Sequence, residues 1–334
     1  MVSAVIFVAT SCVSPLTGFA FWETNLAYEG ESIYNYLQVK NLSDRTILST
    51  NVLFGVQSVT MKDKGLTGMY YDTALAAPAL ADNANSALIL GMGTGTYARQ
   101  LKQYYPKMNI TGVEIDQKIT DLAGEYFDEP ADIPVTTYDG RAWLAASHDK
   151  YDVIMVDAYQ DITIPFQMSS TEFFTMVREH LNPGGVMVVN MNMISDGQGS
   201  INEALSDTIA SVFGNGNTLT ADVPNTTNRE LFAKKPGSGS EENSMQQASK
   251  ALNLRETTYE RTGSEDLEWY MEEVAFRFRK VNEPDSASTI LTDDKAPVEV
   301  LGMHAIDQII ADEAGPYRQI LKDEGFGGLL RAVQ

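Results

Sequence analysis

Polar and apolar positions change rhythm twice along the chain. Between Tyr34 and Thr60 they alternate, with Tyr34, Tyr36 and Gln38 set against Leu37 and Val39. The runs Thr46-Ile47-Leu48 and Val52-Leu53-Phe54 follow after polar breaks. A period of two with such interruptions predicts a small antiparallel sheet of about three or four strands. An alanine-rich stretch from Tyr70 to Leu80 predicts a helix. From Ala87 short apolar runs alternate with helical stretches. Ala87–Leu90, Ile110–Ile115, Val135–Tyr138, Tyr151–Val156 and Val186–Asn190 predict strands. Tyr97–Tyr105, Lys118–Tyr126 and Ser170–His180 predict helices between them, the last stopped by Gly184-Gly185. That alternation predicts a parallel, doubly wound α/β sheet. Further on, Asn202–Phe213 predicts a helix and Glu230–Ala233 a late strand. Pro236–Ser244 predicts a loop, and Asp266–Arg279 and Ile306–Leu330 predict further helices.

Chemistry gathers at the strand ends of the second half of this pattern. Leu90-Gly91-Met92-Gly93-Thr94-Gly95 makes a strand-to-helix turn whose glycines let the backbone approach a ligand. The next strand ends in Glu114-Ile115-Asp116, where an acid pairs with ribose hydroxyls. Thr96 stands where a pyrophosphate fingerprint has its last glycine, so the spacing suits a nucleoside without phosphates. Asp139-Gly140 follows the third strand, placed to meet an adenine amino group, and Asp157 ends the fourth. Ligands of open α/β sheets bind at the carboxyl ends of strands, so Glu114, Asp139 and Asp157 are expected to converge there.

Composition narrows the chemistry. With 24 Lys plus Arg against 45 Asp plus Glu, the formal charge is −21. Such a field repels phosphate backbones, which excludes nucleic acid as a partner, and attracts cations. The single cysteine, Cys12, excludes an internal disulfide and a Cys-rich zinc site. His148, His180 and His304 are far apart and show no ligand spacing, so no metal is expected.

The pattern divides the chain into an apolar segment (1–24), an N-terminal β-domain (25–66) and a Rossmann-like nucleoside-binding domain (67–235). A flexible loop (236–250) and a C-terminal strand and helical extension (251–334) follow. Ala4 to Trp22 is uncharged and about the length of a membrane span. Ser11, Ser14, Pro15 and Gly18 weaken it, and no Lys or Arg precedes it as an export signal requires. A membrane anchor or the remnant of a membrane region, a buried helix and a cleaved signal stay open.

Together these residues resemble a family. Gly91 to Gly95, Glu114-Ile115-Asp116, Asp139-Gly140 and Asp157 resemble the S-adenosylmethionine-type core of spermidine synthases. Upstream, Glu31-Ser32-Ile33-Tyr34-Asn35, Leu53-Phe54-Gly55-Val56-Gln57 and Tyr70-Tyr71-Asp72 to Pro78 resemble that family's N-terminal strands and first helix. Asp157 to Pro165 and Leu291 to Pro297 resemble the bacterial branch fused to membrane segments. The resemblance implies a methyltransferase-type fold preceded by a small antiparallel β-domain. It also implies a transferase that moves an aminopropyl group from decarboxylated S-adenosylmethionine to a di- or polyamine. Asp157 and Tyr70 match the catalytic positions. Gln57, Gly91, Gly93, Gly95, Glu114, Asp139 and Gly140 match nucleoside-binding positions; Asn35, Tyr71, Tyr159 and Asp161 match the amine side. A homodimer is implied, and a cytoplasmic location with a membrane tether as an added alternative.

The chain also departs from that family. Thr94 replaces an aspartate that holds the aminopropyl ammonium, Tyr71 and Ala76 replace a glutamine and a histidine, and Gln160 stands where a second acid is expected. A methyltransferase using S-adenosylmethionine itself, or a noncatalytic nucleoside-binding module, is therefore the alternative reading.

Overall fold

In the computed structural model the described residues are 23–51, 56–128, 132–159, 164–192, 199–214, 216–237 and 253–305, with Pro130, Gly197 and Lys322. Residues 4–22, Val52–Phe54, Asp161, most of 236–250 and, Lys322 apart, the tail Ile306–Leu330 lie outside them. Among the described residues no helix is long and apolar enough to cross a membrane.

The alternating N-terminal pattern forms a four-stranded antiparallel meander of β1 (Leu26–Glu31), β2 (Tyr36–Asn41), β3 (Arg45–Thr50) and β4 (Ser58–Met61). Its first strand lies ahead of the region where the sequence alternates clearly. Leu37, Val39 and Leu48 turn inward and pack with Ile119, Leu122 and Phe127 at the helix Gln117–Tyr126. Each such apolar side chain contributes about 1.5–3 kcal/mol by leaving water. This small core joins the meander to the larger sheet.

The larger sheet has eight strands: β5 (Ser86–Leu90), β6 (Asn109–Glu114), β7 (Val135–Thr137), β8 (Tyr151–Val156), β9 (Leu181–Met191), β10 (Thr218–Asp222), β11 (Arg229–Lys234) and β12 (Arg279–Lys280). Their spatial order is β12-β10-β11-β9-β8-β5-β6-β7. The strands from β9 to β7 in that order run parallel, and β11, β10 and β12 add antiparallel pairings. Chain order reverses direction at β5, with β6 on one side and β8 on the other, and a crevice opens at such a point. The expected doubly wound, Rossmann-like fold with an N-terminal antiparallel sheet is therefore the observed one.

Several local expectations differ. The Tyr70–Leu80 stretch is two short helices, Tyr70–Ala74 and Ala76–Leu80, broken at Leu75. Pro78 has no N–H for the Ala74 carbonyl and its ring crowds it; that carbonyl accepts from Tyr97 Oη instead, at 3.1 Å. The helix Thr171–His180 ends before Gly184-Gly185, because Pro183 disfavours helical backbone at Asn182 and β9 starts at Leu181. The helix Glu265–Arg277 stops short of Arg279, which pairs with Thr220 in the sheet. β10 and the helix Asn253–Thr262 escaped the pattern because their sequences are mostly polar and the helix buries only Leu254 and Thr258.

Candidate active site

The crevice is a cleft of about 360 Å³ above the carboxyl ends of β5, β6, β7 and β8, roofed by residues of the N-terminal meander. Its shape begins at the glycine turn. Gly91 has φ 89°, and both Gly91 N and Met92 N donate to Val113 O, at 2.9 and 3.0 Å. A Cβ at Gly91 would overlap the Asp157 carbonyl, so only glycine lets β5 and β8 close up here. Asp157 N in turn donates to Leu90 O at 2.9 Å.

Glu114 stands at the next strand end, buried, with Oε2 accepting from Gly93 N at 2.8 Å and Oε1 from Asp116 N at 3.0 Å. Burial raises its pKa against the lowering effect of those backbone bonds. Asp116 ties the meander down. Its Oδ1 accepts from Lys118 N at the helix start, and its Oδ2 accepts from Ser32 Oγ at 2.5 Å and Asn35 Nδ2 at 3.0 Å. Asn35, matched to the amine side in sequence, lines the cleft but is engaged in this latch. Asp139 caps the helix Gly140–Ala146 through Ala142 N, at 2.7 Å, while it and Gly140 line the cleft.

Asp157 sits at the meeting point of the two halves. Tyr70 Oη donates to its Oδ2 at 2.6 Å and Asn190 Nδ2 to its Oδ1 at 2.9 Å. Asn190 is held in that orientation by Asn228 Nδ2, which donates to Asn190 Oδ1 at 2.9 Å. Protein crowds the Asp157 carboxyl on every side but the cleft. That desolvation outweighs the two hydrogen bonds and lifts its pKa to about 7. The Tyr70 and Tyr71 rings lie tilted against each other with centroids 4.0 Å apart, and Tyr71 Oη donates to Gln57 O at 2.9 Å. The Tyr159 hydroxyl donates to Asn190 O and accepts from Asn192 N. Burial raises the pKa of all three tyrosines, so they remain neutral donors.

The cleft thus gathers Asn35, Gln57, Tyr70, Tyr71, Gly91, Gly93, Glu114, Asp139, Gly140, Asp157 and Tyr159. Gly95 is not among its lining; with φ 77° it precedes the helix Thr96–Tyr104 and serves the turn. Asp161 lies outside the described residues. Thr94 is 1% exposed and its hydroxyl has no hydrogen-bond partner among the described residues. No lysine or arginine lines the cleft among the described residues. Sequence reading missed Ser58, which lines the cleft, and Asn190 and Asn228, which hold Asp157. Asn190 carried a signal, as a polar residue ending the apolar run Val186–Val189; Asn228 lies in a turn and carried none.

The spermine/spermidine synthase domain family matches residues 69–235. The chain is 99% identical, over all 334 residues, to a protein of Bifidobacterium longum (strain NCC 2705) named "Probable polyamine aminopropyl transferase", of which it spans 75%. It is 37% identical over 131 residues to the "Polyamine aminopropyltransferase" of Corynebacterium efficiens, covering 36% of this chain and 25% of that one. Among solved structures, a probable spermidine synthase from Corynebacterium glutamicum superposes with a TM-score of 0.55 at 20% identity. That superposition covers 79% of this chain and 98% of the other.

Proposed function

The chain belongs to the spermine/spermidine synthase family of polyamine aminopropyltransferases, and from that premise we propose how its cleft transfers an aminopropyl group. The donor is decarboxylated S-adenosylmethionine as co-substrate, and the acceptor is a di- or polyamine. The acceptor nitrogen attacks the methylene carbon next to the sulfonium. The carbon–sulfur bond breaks, its electron pair stays on sulfur to give methylthioadenosine, and the displaced amine proton passes to Asp157. Attack needs a neutral nitrogen in line with the leaving sulfur, so positioning and proton acceptance are the protein's tasks.

The observation that carries this reading is the Tyr70–Asp157–Asn190 arrangement in a cleft with no lysine or arginine among the described residues. Two neutral donors orient the carboxyl, and a pKa near 7 suits a base that accepts a proton and then releases it. Glu114 takes the ribose hydroxyls, Asp139 the adenine amino group, and the Gly91–Gly93 turn the nucleoside face. Gln57, Tyr71 and Tyr159 flank the reacting arm.

Thr94 favours a second reading of the donor. It supplies no anion for an aminopropyl ammonium, which relaxes rejection of the carboxylated S-adenosylmethionine. A homodimer, a membrane tether through residues 4–22 and the division of the chain near residues 66 and 235 belong to the same proposal and rest on the sequence pattern and the family resemblance.

The test is incubation of the purified protein with each donor and a diamine panel, with products read by mass spectrometry. Methylthioadenosine with an extended polyamine, formed from the decarboxylated donor, supports aminopropyl transfer. Turnover only with S-adenosylmethionine, giving S-adenosylhomocysteine, overturns it.

A further inference from the structure

The turn Leu291–Lys295 lies beyond residues 69–235, the stretch that matches the family, and its residues are not among those lining the cleft. It is nevertheless fixed against the cleft from behind. Thr292 and Lys295 pair across the turn, N to O in both directions, at 3.0 and 2.9 Å. Leu291 is buried in the same cluster as Leu144, Ile164 and Met168. Its N donates to Thr208 Oγ1 and its O accepts from Thr171 N, both at 2.9 Å. A turn held this way presents Asp293 in one position.

Asp293 receives Arg141 as a fork, with Nη1 donating to Oδ1 at 2.7 Å and Nη2 to Oδ2 at 2.6 Å. Ser170 Oγ donates to Oδ1 at 2.5 Å, and Asp293 N donates to Glu172 Oε2 at 3.1 Å. Arg141 Nη1 also donates to Gln167 O at 2.8 Å. Arg141 follows Gly140 directly, in the helix that Asp139 caps. One guanidinium therefore ties three pieces of chain: the Asp139–Gly140 strand end, the stretch Pro165–Met168 and the C-terminal turn. The first two carry cleft-lining residues, namely Asp139, Gly140, Pro165, Gln167 and Met168. They are in close register, since a Cβ built on Gly140 would stand 3.6 Å from Met168 Cε. Partly exposed ion pairs contribute little singly, but a bidentate fork within a network is the exception. The guanidinium and the Ser170 hydroxyl hold the Asp293 carboxyl below the usual range, so it stays ionised.

Resting on the nucleoside placement proposed for Asp139 and Gly140, we propose that Asp293 is a positioning residue for the donor. Through Arg141 it sets the spacing between the Pro165–Met168 wall and the Asp139–Gly140 strand end, and with it the affinity of the cleft for adenosine. Without the carboxylate the guanidinium has other acids to turn to, Glu172 and Asp139, whose charges already act on it. Gln167 O then loses its donor and the wall its tie. The effect falls on nucleoside binding, because Tyr70 and Asn190, which hold Asp157, belong to the opposite side of this network. The C-terminal extension thereby becomes part of the donor site.

The experiment compares wild type with Asp293→Asn, which keeps the size and removes the charge and one acceptor of the fork. Binding of methylthioadenosine and of the decarboxylated donor is measured by calorimetry, followed by steady-state rates with 1,4-diaminobutane. Expected is a rise of about five- to tenfold in Kd for both nucleosides and in donor KM, with kcat and diamine KM within about twofold. Arg141→Lys keeps the charge but not the fork, so it should give the same rise, and the double variant little more. Wild-type nucleoside affinity in Asp293→Asn overturns the proposal, even where Tm falls, and so does a loss confined to kcat. A rise for the cationic donor alone also overturns it, since that reports the freed charge of Arg141 and not a displaced wall. Should Asp293→Asn fail to fold, Arg141→Lys decides by the same measurements. Nucleoside binding that depends on Asp293, without aminopropyl transfer, counts against the reaction and leaves this inference standing. Absence of nucleoside binding in wild type overturns both.

Discussion

Tyr70 and Asp157 are 87 positions apart in sequence, yet the Tyr70 hydroxyl donates to Oδ2 of Asp157 at 2.6 Å. The bond joins the broken helix after the N-terminal meander to the end of β8, and it spans the cleft where the two halves meet. A base fixed in this way cannot rotate away from an incoming amine, so substitutions at either end should separate chemistry from nucleoside binding.

Asp157→Asn keeps the size of the side chain and removes the proton acceptor. Turnover should be nearly abolished while affinity for methylthioadenosine stays within about tenfold, roughly 1.4 kcal/mol. Single-turnover rates and calorimetry measure the two quantities. Equal activity in this variant would sink the role given to Asp157.

The rate should also follow the ionisation of that carboxyl. Its pKa is raised to about 7, and only the deprotonated form accepts a proton, so kcat should fall as pH drops below about 7. The Tyr70 hydrogen bond favours the charged form, so Tyr70→Phe should move the acidic limb upward by about one unit. A pH–rate profile of the two proteins decides it; a limb that does not move removes Tyr70 from the electrostatics of the base.

Among the described residues Asn228 reaches Asp157 through Asn190, by two hydrogen bonds of 2.9 Å. Without it the Asn190 amide is free to turn its oxygen toward the carboxyl. Asn228→Ala should lower kcat about tenfold with little change in donor KM. Combined with Asn190→Ala, it should cost almost nothing more, because both changes break one relay. Additive losses in the double variant would show two independent effects.

Glu230, buried in β11, makes a prediction about stability. With its folded pKa above the unfolded value, the native state binds more protons than the unfolded chain between the two. Stability contributed by the neutral acid is present at low pH and declines as pH rises past the usual glutamate range near 4.3 toward the raised folded value. Glu230→Gln removes that slope. Thermal melts from pH 5 to pH 8 should therefore fall less steeply for the variant, and parallel curves would contradict the burial of a carboxyl that has no hydrogen-bond partner among the described residues.

Much of this protein was legible in sequence because its signals are local. Periods of two and of alternating strand and helix come from backbone geometry, and they predicted the meander and the doubly wound sheet. The strand ends at Gly91, Glu114, Asp139 and Asp157 followed from where such a sheet binds ligands.

What tertiary structure alone decided depends on partners distant in the chain. Pro78 split a helix that alanine content favoured, and Asn35 became a latch on Asp116 because the meander folds over that strand end. The Asn228–Asn190–Asp157 relay, and the place of Glu230 beside Asn190, depend on antiparallel register between β9 and β11. A single residue of slip would turn these side chains to the other face. Periodicity along one strand says which faces it has; only pairing with its neighbour says which residues stand side by side.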